Sequence, residues 1–468
     1  MGDCPINDNG EKRLEEMMKK IEDEFWLPVE LLKKLSDDIE LMIRKGLQDE
    51  STSFIKMLVS YVDSLPSGHE EGCFYALDLG GTNLRVMRVT LQGDRTTNLK
   101  SESYKVPASI KVGKLHELFD YIAEKVSHVL ENEDDLDYKI PPGKKRELGF
   151  TFSFPVHQTR INSGTLLNWT KDFNVKDAIG KDMVKELTKA LEKRAIDVNV
   201  TALLNDTVGT LAGGLFYDKN VVAAVILGTG LNAAYVEQSD NIKKPYGPPP
   251  ESGHMVINTE WGNFYSPLLP LTEYDTALDK DSPNQNKQIL EKMLSGRYLG
   301  EIVRRILVQL AQDALLFGDI IPPKLQQHYI LGTDIVSAMH SDKSTDLRVV
   351  KKYLEEILQI SNVSLEKRKL VVKICEIVST RGARLAAAAI LAILKKLGKD
   401  TANEGETVVA VDGSLFEKYD EFKACLQKTL ADELLDEQVS KSVVLKQFKD
   451  ASGIGAAVVA ASHSIYNS

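Results

Sequence analysis

Leu77-Asp78-Leu79-Gly80-Gly81-Thr82-Asn83-Leu84-Arg85-Val86 is the stretch on which the reading of this chain turns. A strand-like run, Cys73 to Leu79, enters it, and a second run rich in β-formers, Leu84 to Gln92, leaves it, so the glycines sit in a hairpin turn. Two glycines let the backbone approach a bulky anion, and Thr82 adds a hydroxyl donor. Arg85 offers charge to phosphate oxygens, while Asp78 is placed to hold a metal ion through water. Standing alone, the segment reads better as an ordinary Gly-Gly hairpin.

It does not stand alone. Leu227-Gly228-Thr229-Gly230-Leu231-Asn232 echoes it, again after a strand-like run (Val221 to Leu227) and before another. With Ala233 this second turn matches G-x-G-x-x-A in form, but a dinucleotide fingerprint needs a helix directly after the turn. Ala234-Tyr235-Val236-Glu237 reads as a returning strand instead, so a phosphate-cradling hairpin is what remains, with Thr229 as its added donor. No G-x-x-x-x-G-K-[ST] occurs, which excludes a P-loop enzyme. A third glycine pair, in Ser452-Gly453-Ile454-Gly455-Ala456-Ala457, opens the last helical run; anion binding and close helix packing both fit, and packing fits slightly better.

Between and beyond the turns lie polar side chains in apolar settings. Ser153 stands among aromatics in Leu148 to Val156, followed by Asn168-Trp169-Thr170-Lys171 and Leu204-Asn205-Asp206-Thr207. Asn258-Thr259-Glu260-Trp261-Gly262 and Gln288-Ile289-Leu290-Glu291 add two carboxylates. Asn205, Asp206, Asn232, Glu260 and Glu291 are the donors and acceptors that a polyhydroxylated molecule needs, because each hydroxyl both gives and takes. Each singly could be a solvated loop residue; several follow apolar runs, which weakens that reading for the set.

Helical spacing marks Leu14 to Phe25, Pro28 to Gly46, Lys114 to Glu131 and Lys181 to Lys193. Strand-like runs stand at Val198 to Leu204 and Thr407 to Val411, residues 286–398 are mostly helical, and Ile454 to His463 closes the chain as a helix. At 468 residues the chain exceeds one ordinary core, so two α/β units are expected. The charge of −10, from 58 basic and 68 acidic residues, argues against a nucleic-acid partner or an anionic-membrane surface. Four cysteines (Cys4, Cys73, Cys375, Cys425) without CxxC spacing suggest neither zinc nor disulfides, and eight scattered histidines suggest no metal site. The apolar run Leu385 to Leu394 is too short to span a bilayer and reads as a buried helix. Met1 to Arg13 lacks a signal-peptide core, Ile6 disfavours myristoylation at Gly2, and no prenylation signal ends the chain. A cytoplasmic location is expected.

Taken in order, the motifs resemble the hexokinase family. They run LDLGGTNLRV (77–86), FTFSFPV (150–156), LLNWTK (166–171), LLNDTVGT (203–210), LGTGLNAAY (227–235), INTEWGNF (257–264), TEYD (272–275), VDGSL (411–415) and SGIGAA (452–457). The resemblance covers about residues 14–465, at the length of a single unit, and Ile454 gives the last motif a plant-type style. It implies an α/β, actin-like (ribonuclease-H-like) fold of two domains around a cleft. A tail (1–13) would precede N-terminal helices (14–67) of the large domain; the small domain would be 68–205, completed by 453–468, and the large domain 206–452.

By the same resemblance, ATP phosphorylates D-glucose or a related hexose at the 6-hydroxyl, giving hexose 6-phosphate and ADP in the first step of glycolysis. Asp206 and Lys171 would be catalytic. Sugar would contact Ser153, Thr170, Lys171, Asn205, Asp206, Asn232, Glu260 and Glu291. Nucleotide would contact Asp78, Gly80, Gly81, Thr82, Asn83, Arg85, Gly228, Thr229 and Gly230, with Thr333, Ser337, Gly413 and Ser414 toward the adenosine end. Mg²⁺ would lie near Asp78 and Asp206 through water. Partners would be the hexose and MgATP, without a membrane span; a homo-oligomer stays open. Three departures stand out: Asp172 after the lysine, Ala451 in place of a glycine, and Gly209 where a bulkier residue is frequent. The competing reading is a non-catalytic sugar sensor or scaffold of the same fold, which would have no physical need for Asp206, Lys171 and both turns together.

Overall fold

A computed structural model describes residues 8–132, 144–171, 173–314, 316–318, 320–401 and 405–464. Asp172, Gly2, Cys4, Ile6 and the last four residues lie outside them. Two sheets of the same design organise the chain. In the first, Glu71–Leu79 pairs antiparallel with Asn83–Gln92, which pairs antiparallel with Thr97–Lys105; on its other side Arg146–Phe152 and then Val198–Leu204 run parallel to it. In the second, Val221–Leu227, Leu231–Gln238 and His254–Asn258 form the antiparallel meander, and Thr407–Asp412 and Val443–Lys446 continue in parallel. Leu58–Val59 adds one edge strand to the second sheet. Three antiparallel strands followed by two parallel ones, twice over, is the actin-like arrangement. The two glycine turns occupy the same place in the two sheets, each joining the first strand to the second.

Each sheet has its own apolar core. On the first, Leu115–Glu131 and Met183–Lys193 bury Leu118, Phe119, Ile122 and Leu187 against Leu77, Leu79 and Phe150. On the second, the N-terminal helices and the long helix Leu365–Lys396 cover Ala223, Val225, Tyr235 and Ile257. The run Leu385 to Leu394 lies inside that long helix, which is the one described helix long and apolar enough to cross a membrane and is buried within the molecule. A third core fills the space between the sheets. Two helices make it: Asp206–Tyr217 lies on the second sheet and Ala451–Ser462 on the first, and they pack against each other. Their contact is backbone on backbone. A Cβ on Gly209 would lie 2.6 Å from the Ser452 carbonyl oxygen, one on Gly213 2.2 Å from that of Ala451, and one on Gly455 1.9 Å from that of Gly209. The glycine at position 209 therefore serves close packing, and so does the third glycine pair. Ala451 opens the last helix behind Asp450, which holds a left-handed φ of 54°.

Candidate active site

Lys171 and Asp206 face each other where the sheets meet. Asp206 is the first residue of its helix, capped by Asn205, whose Oδ1 accepts from the Thr207 amide at 3.0 Å. Lys171 Nζ lies 3.4 Å from Asp206 Oδ2. Asn205 Oδ1 also accepts from Asn232 Nδ2 at 3.2 Å, and this amide reaches Asn258 Oδ1 (2.9 Å) and Glu260 Oε1 (3.3 Å) as well. Asn258 Nδ2 donates to Glu260 Oε1 at 2.9 Å, and the Glu260 amide donates to Asn232 Oδ1 at 3.1 Å. Glu291, on the helix Ile289–Leu294, accepts from the Leu231 amide at 2.9 Å. One amide-and-carboxylate chain thus joins Asn205, Asn232, Asn258 and Glu260, with Asp206 and Glu291 beside it.

The carboxyls feel this enclosure. Burial pushes Glu291 up to about 7, against the lowering pull of the Leu231 amide and Lys171. Burial also raises Glu260, offset by the Asn258 hydrogen bond and added to by the charge of Asp206. Both residues keep partial exposure, so a polar ligand has access to them. Lys171 (φ 56°) and Glu260 (φ 54°) hold left-handed backbone without being glycine, a conformation that costs on the order of 1 kcal/mol and clusters at functional sites.

Ser153 is buried at the end of the first sheet, its amide donating to the Leu79 carbonyl at 3.2 Å. Thr170 accepts from the Phe173 amide at 3.2 Å. The aromatic set behind them holds the loop: Trp169 stacks on Phe173 at 5.3 Å, Phe154 meets both edge-on, and Trp169 Nε1 donates to the Val175 carbonyl.

Both turns are tight, but neither glycine pair needs a positive φ. Gly80 donates to the Asn83 carbonyl and Gly228 to that of Gly230. The missing side chain at Gly81 makes room for Lys171, whose Cβ would lie 2.8 Å from a Cβ there; Gly230 likewise makes room for Glu291 Oε2 at 3.0 Å. Thr82, Asn83 and Thr229 are exposed. Arg85 is already engaged: it donates to Asp78 Oδ2 at 2.6 Å, to Asp450 Oδ1 at 3.0 Å and to Ser452 Oγ at 3.2 Å. It binds the strands of the first turn to the start of the helix Ala451–Ser462 as well as offering charge nearby.

Two family models match this chain, both described as hexokinase, one over residues 17–216 and the other over 222–462. The chain is 54% identical to Hexokinase-2 of Solanum tuberosum and 52% identical to Hexokinase-1 of Spinacia oleracea, each over 97% of this chain and 92% of the relative. The chain belongs to the hexokinase family. A solved Schistosoma mansoni hexokinase complexed with glucose superposes with a TM-score of 0.87 at 37% identity, covering 97% of this chain and 99% of that one. A second hexokinase structure gives 0.79 at 31% identity, over 96% and 99%. The enzyme is thus a plant-type hexokinase, a phosphotransferase acting from ATP to a hexose.

Within this hexokinase, the residues expected at the adenosine end gather beside the second turn. Thr333 Oγ1 donates to the Gly296 carbonyl at 2.7 Å, and the Gly296 amide donates to the Gly228 carbonyl at 2.8 Å. Ser337 faces the helix Ser414–Lys418, its Oγ 3.5 Å from the Lys418 carbonyl. Gly413 (φ 109°) could not carry a Cβ, which would lie 2.5 Å from the Leu227 carbonyl. Three residues not singled out from sequence join the site. Asn258 and Asp412 lie inside motifs already quoted, so the signal was there at motif level. Arg297 follows Gly296 with its amide on the Thr229 carbonyl, and nothing in its local sequence marks it.

No cluster of three metal-ligating side chains occurs among the described residues. A magnesium carried in on nucleotide phosphates needs no such cage, since one or two carboxylates acting through water suffice. The donor set fits that role. Asp412 is raised by burial, and the charge of Asp206 raises it further, a like-charge pairing that a divalent cation would relieve. Asp78 lies near the end of Glu71–Leu79 in the other sheet, buried beside Arg85.

Proposed function

We propose that Asp206 is the general base and Lys171 the charge-stabilising group of the transfer, with glucose as a substrate. The observation that carries this is the Lys171–Asp206 approach at the junction of the sheets, next to the Asn205–Asn232–Asn258–Glu260 chain. Asp206 accepts the proton of the sugar 6-hydroxyl as that oxygen attacks the γ-phosphorus; the bond to the β–γ bridging oxygen breaks and ADP leaves. Lys171 neutralises charge on the transferring group, alongside backbone amides and hydroxyls of the two turns. Ser153, Thr170, Asn205, Asn232, Glu260 and Glu291 hold the sugar, supplying acceptors and amide donors to its hydroxyls. Thr82, Asn83 and Thr229 face the phosphates; Thr333, Ser337, Gly413 and Ser414 lie toward the base and ribose. Asp78 and Asp206 would hold Mg²⁺ through water, with Asp412 nearby; when bound, the ion neutralises phosphate charge. Closing the sheets on sugar excludes water, the competing nucleophile. A cytoplasmic location is part of this reading.

Asp206→Asn tests it. The amide keeps shape and one acceptor but cannot take up the proton, so kcat should fall ~10²–10⁴-fold. Glucose affinity, followed by tryptophan fluorescence on the same preparation, should stay within about tenfold, since one contact among several has changed. Unchanged turnover would remove Asp206 as the base and turn attention to Glu260 or Glu291.

A further inference from the structure

Lys111 lies outside every motif and touches both the first turn and the loop that carries Lys171. It ends the short helix Ala108–Lys111, on a segment running alongside the first turn: Lys105 is in register with Asn83, and the Val106 amide donates to the Thr82 carbonyl at 3.0 Å. Lys111 Nζ then donates to the Gly81 carbonyl at 2.7 Å. The same ammonium lies 5.5 Å from the centre of the Phe173 ring, and the Lys111 carbonyl accepts from the Asn174 amide at 2.8 Å. Phe173 is two residues from Lys171 and stacks on Trp169. Gly81 and the Lys171 side chain are themselves in contact distance.

One half-buried cation therefore ties the turn carbonyl and the loop of Lys171 to a single anchor. A carbonyl held from behind by an ammonium keeps the peptide plane oriented, so the amides of the turn keep facing the cleft. A cation over a ring fixes the ring in turn.

We propose that Lys111 is a positioning residue for phosphoryl transfer: it holds the Gly80–Asn83 turn together with Phe173 and Asn174, next to Lys171, in one arrangement, so that phosphate donors and Lys171 meet the same phosphoryl group. This rests on reading Gly80–Asn83 as a phosphate turn. The experiment pairs Lys111→Met, which keeps bulk but removes the charge and the donors, with Lys111→Arg, which restores both. The turn variant Thr82→Val runs alongside.

Expected for Lys111→Met is a rise of about tenfold in KM for MgATP with a fall in kcat, the loss of one charge-assisted hydrogen bond. Glucose affinity by fluorescence stays within twofold, and Lys111→Arg recovers most of the loss. A purely structural role would lower thermal stability and sugar affinity together without that split, and would overturn the proposal. Should Lys111→Met fold poorly, Lys111→Gln against Lys111→Arg carries the same comparison. If Thr82→Val weakens ATP use while the Lys111 variants match wild type, Lys111 loses its role and the phosphate turn stands. If neither Thr82 nor Lys111 variants move ATP use, the reading of the turn itself fails.

Discussion

Glu291 shows how one buried carboxyl sets a pH response. Enclosure drives its proton affinity up to about 7, with Glu260 adding like charge and Lys171 and Arg297 pulling the other way. An acid raised by folding destabilises the fold as pH climbs from its unfolded value of roughly 4.5 through 7, where the ionised form must be held. On the proposed sugar site, hydroxyls add donors to the one that the Leu231 amide already gives Glu291, so binding favours the carboxylate. Glucose affinity should then be weaker at pH 6 than at pH 8, by roughly tenfold if only the carboxylate binds. Fluorescence titration across that window checks it, and Glu291→Gln should flatten the profile. A slope that survives in Glu291→Gln belongs to Glu260, which shifts in the same direction. Some other charged residues have structural work instead. Asp275, from the TEYD segment, closes a capping box with Thr272 and accepts from both terminal Arg381 nitrogens at 2.6 and 2.7 Å; burial pushes its carboxyl up, but Arg381 outweighs that and holds it low.

At the scale of elements, the crossing of Asp206–Tyr217 with Ala451–Ser462 has no spare room. Gly209→Val would place a branched side chain where even a Cβ meets the Ser452 carbonyl oxygen at 2.6 Å, so the helices must separate. Overpacking of this kind costs typically ~1–3 kcal/mol, more when backbone must move. The urea or thermal midpoint should drop accordingly. Because Asp206 begins the same helix, kcat should fall as well. A variant with an unchanged midpoint would show that the crossing has slack. Strands proved harder to read than helices. Thr97–Lys105 is a nine-residue edge strand whose sequence, TNLKSESYK, has no apolar face, since it buries little. Val443–Lys446 is likewise short and only half-buried. Such strands form because a neighbour offers hydrogen bonds, which no local pattern announces.

At the scale of the whole molecule, the residues proposed to hold sugar sit on both sides of the junction: Ser153 follows Arg146–Phe152 of the first sheet and Thr170 follows Ser163–Leu166 of a separate two-stranded hairpin, while Asn232, Glu260 and Glu291 belong with the second sheet. A ligand that bonds to both sides favours their approach by its differential affinity for the closed arrangement. Glucose alone should therefore compact the protein in solution scattering and change its tryptophan emission. Trp169, in the aromatic set behind Thr170, carries most of the signal, Trp261 is wholly buried, and Trp26, 58% exposed between the two N-terminal helices, is background. Flat scattering and flat emission at saturating glucose would count against a sugar-driven hinge.

Local pattern determined the two glycine turns, fewer than half of the strands and the long amphipathic helices, but not the helix Asp206–Tyr217, because periodicity and backbone freedom are properties of a few adjacent residues and that helix is apolar nearly all round. Ordered motifs carried the fold family and the candidate residues as well. Tertiary structure alone decided how those residues meet. Lys171 reaches Asp206 across 35 residues and Arg85 reaches Asp450 across 365, distances that only the packing of two sheets on two crossed helices can close. It also decided what the glycines are for. Gly81 and Gly230 look in sequence like bare approaches for an anion; in the fold their missing side chains leave space for Lys171 and Glu291, because the groups that act on a ligand must themselves fit against the turns that hold it.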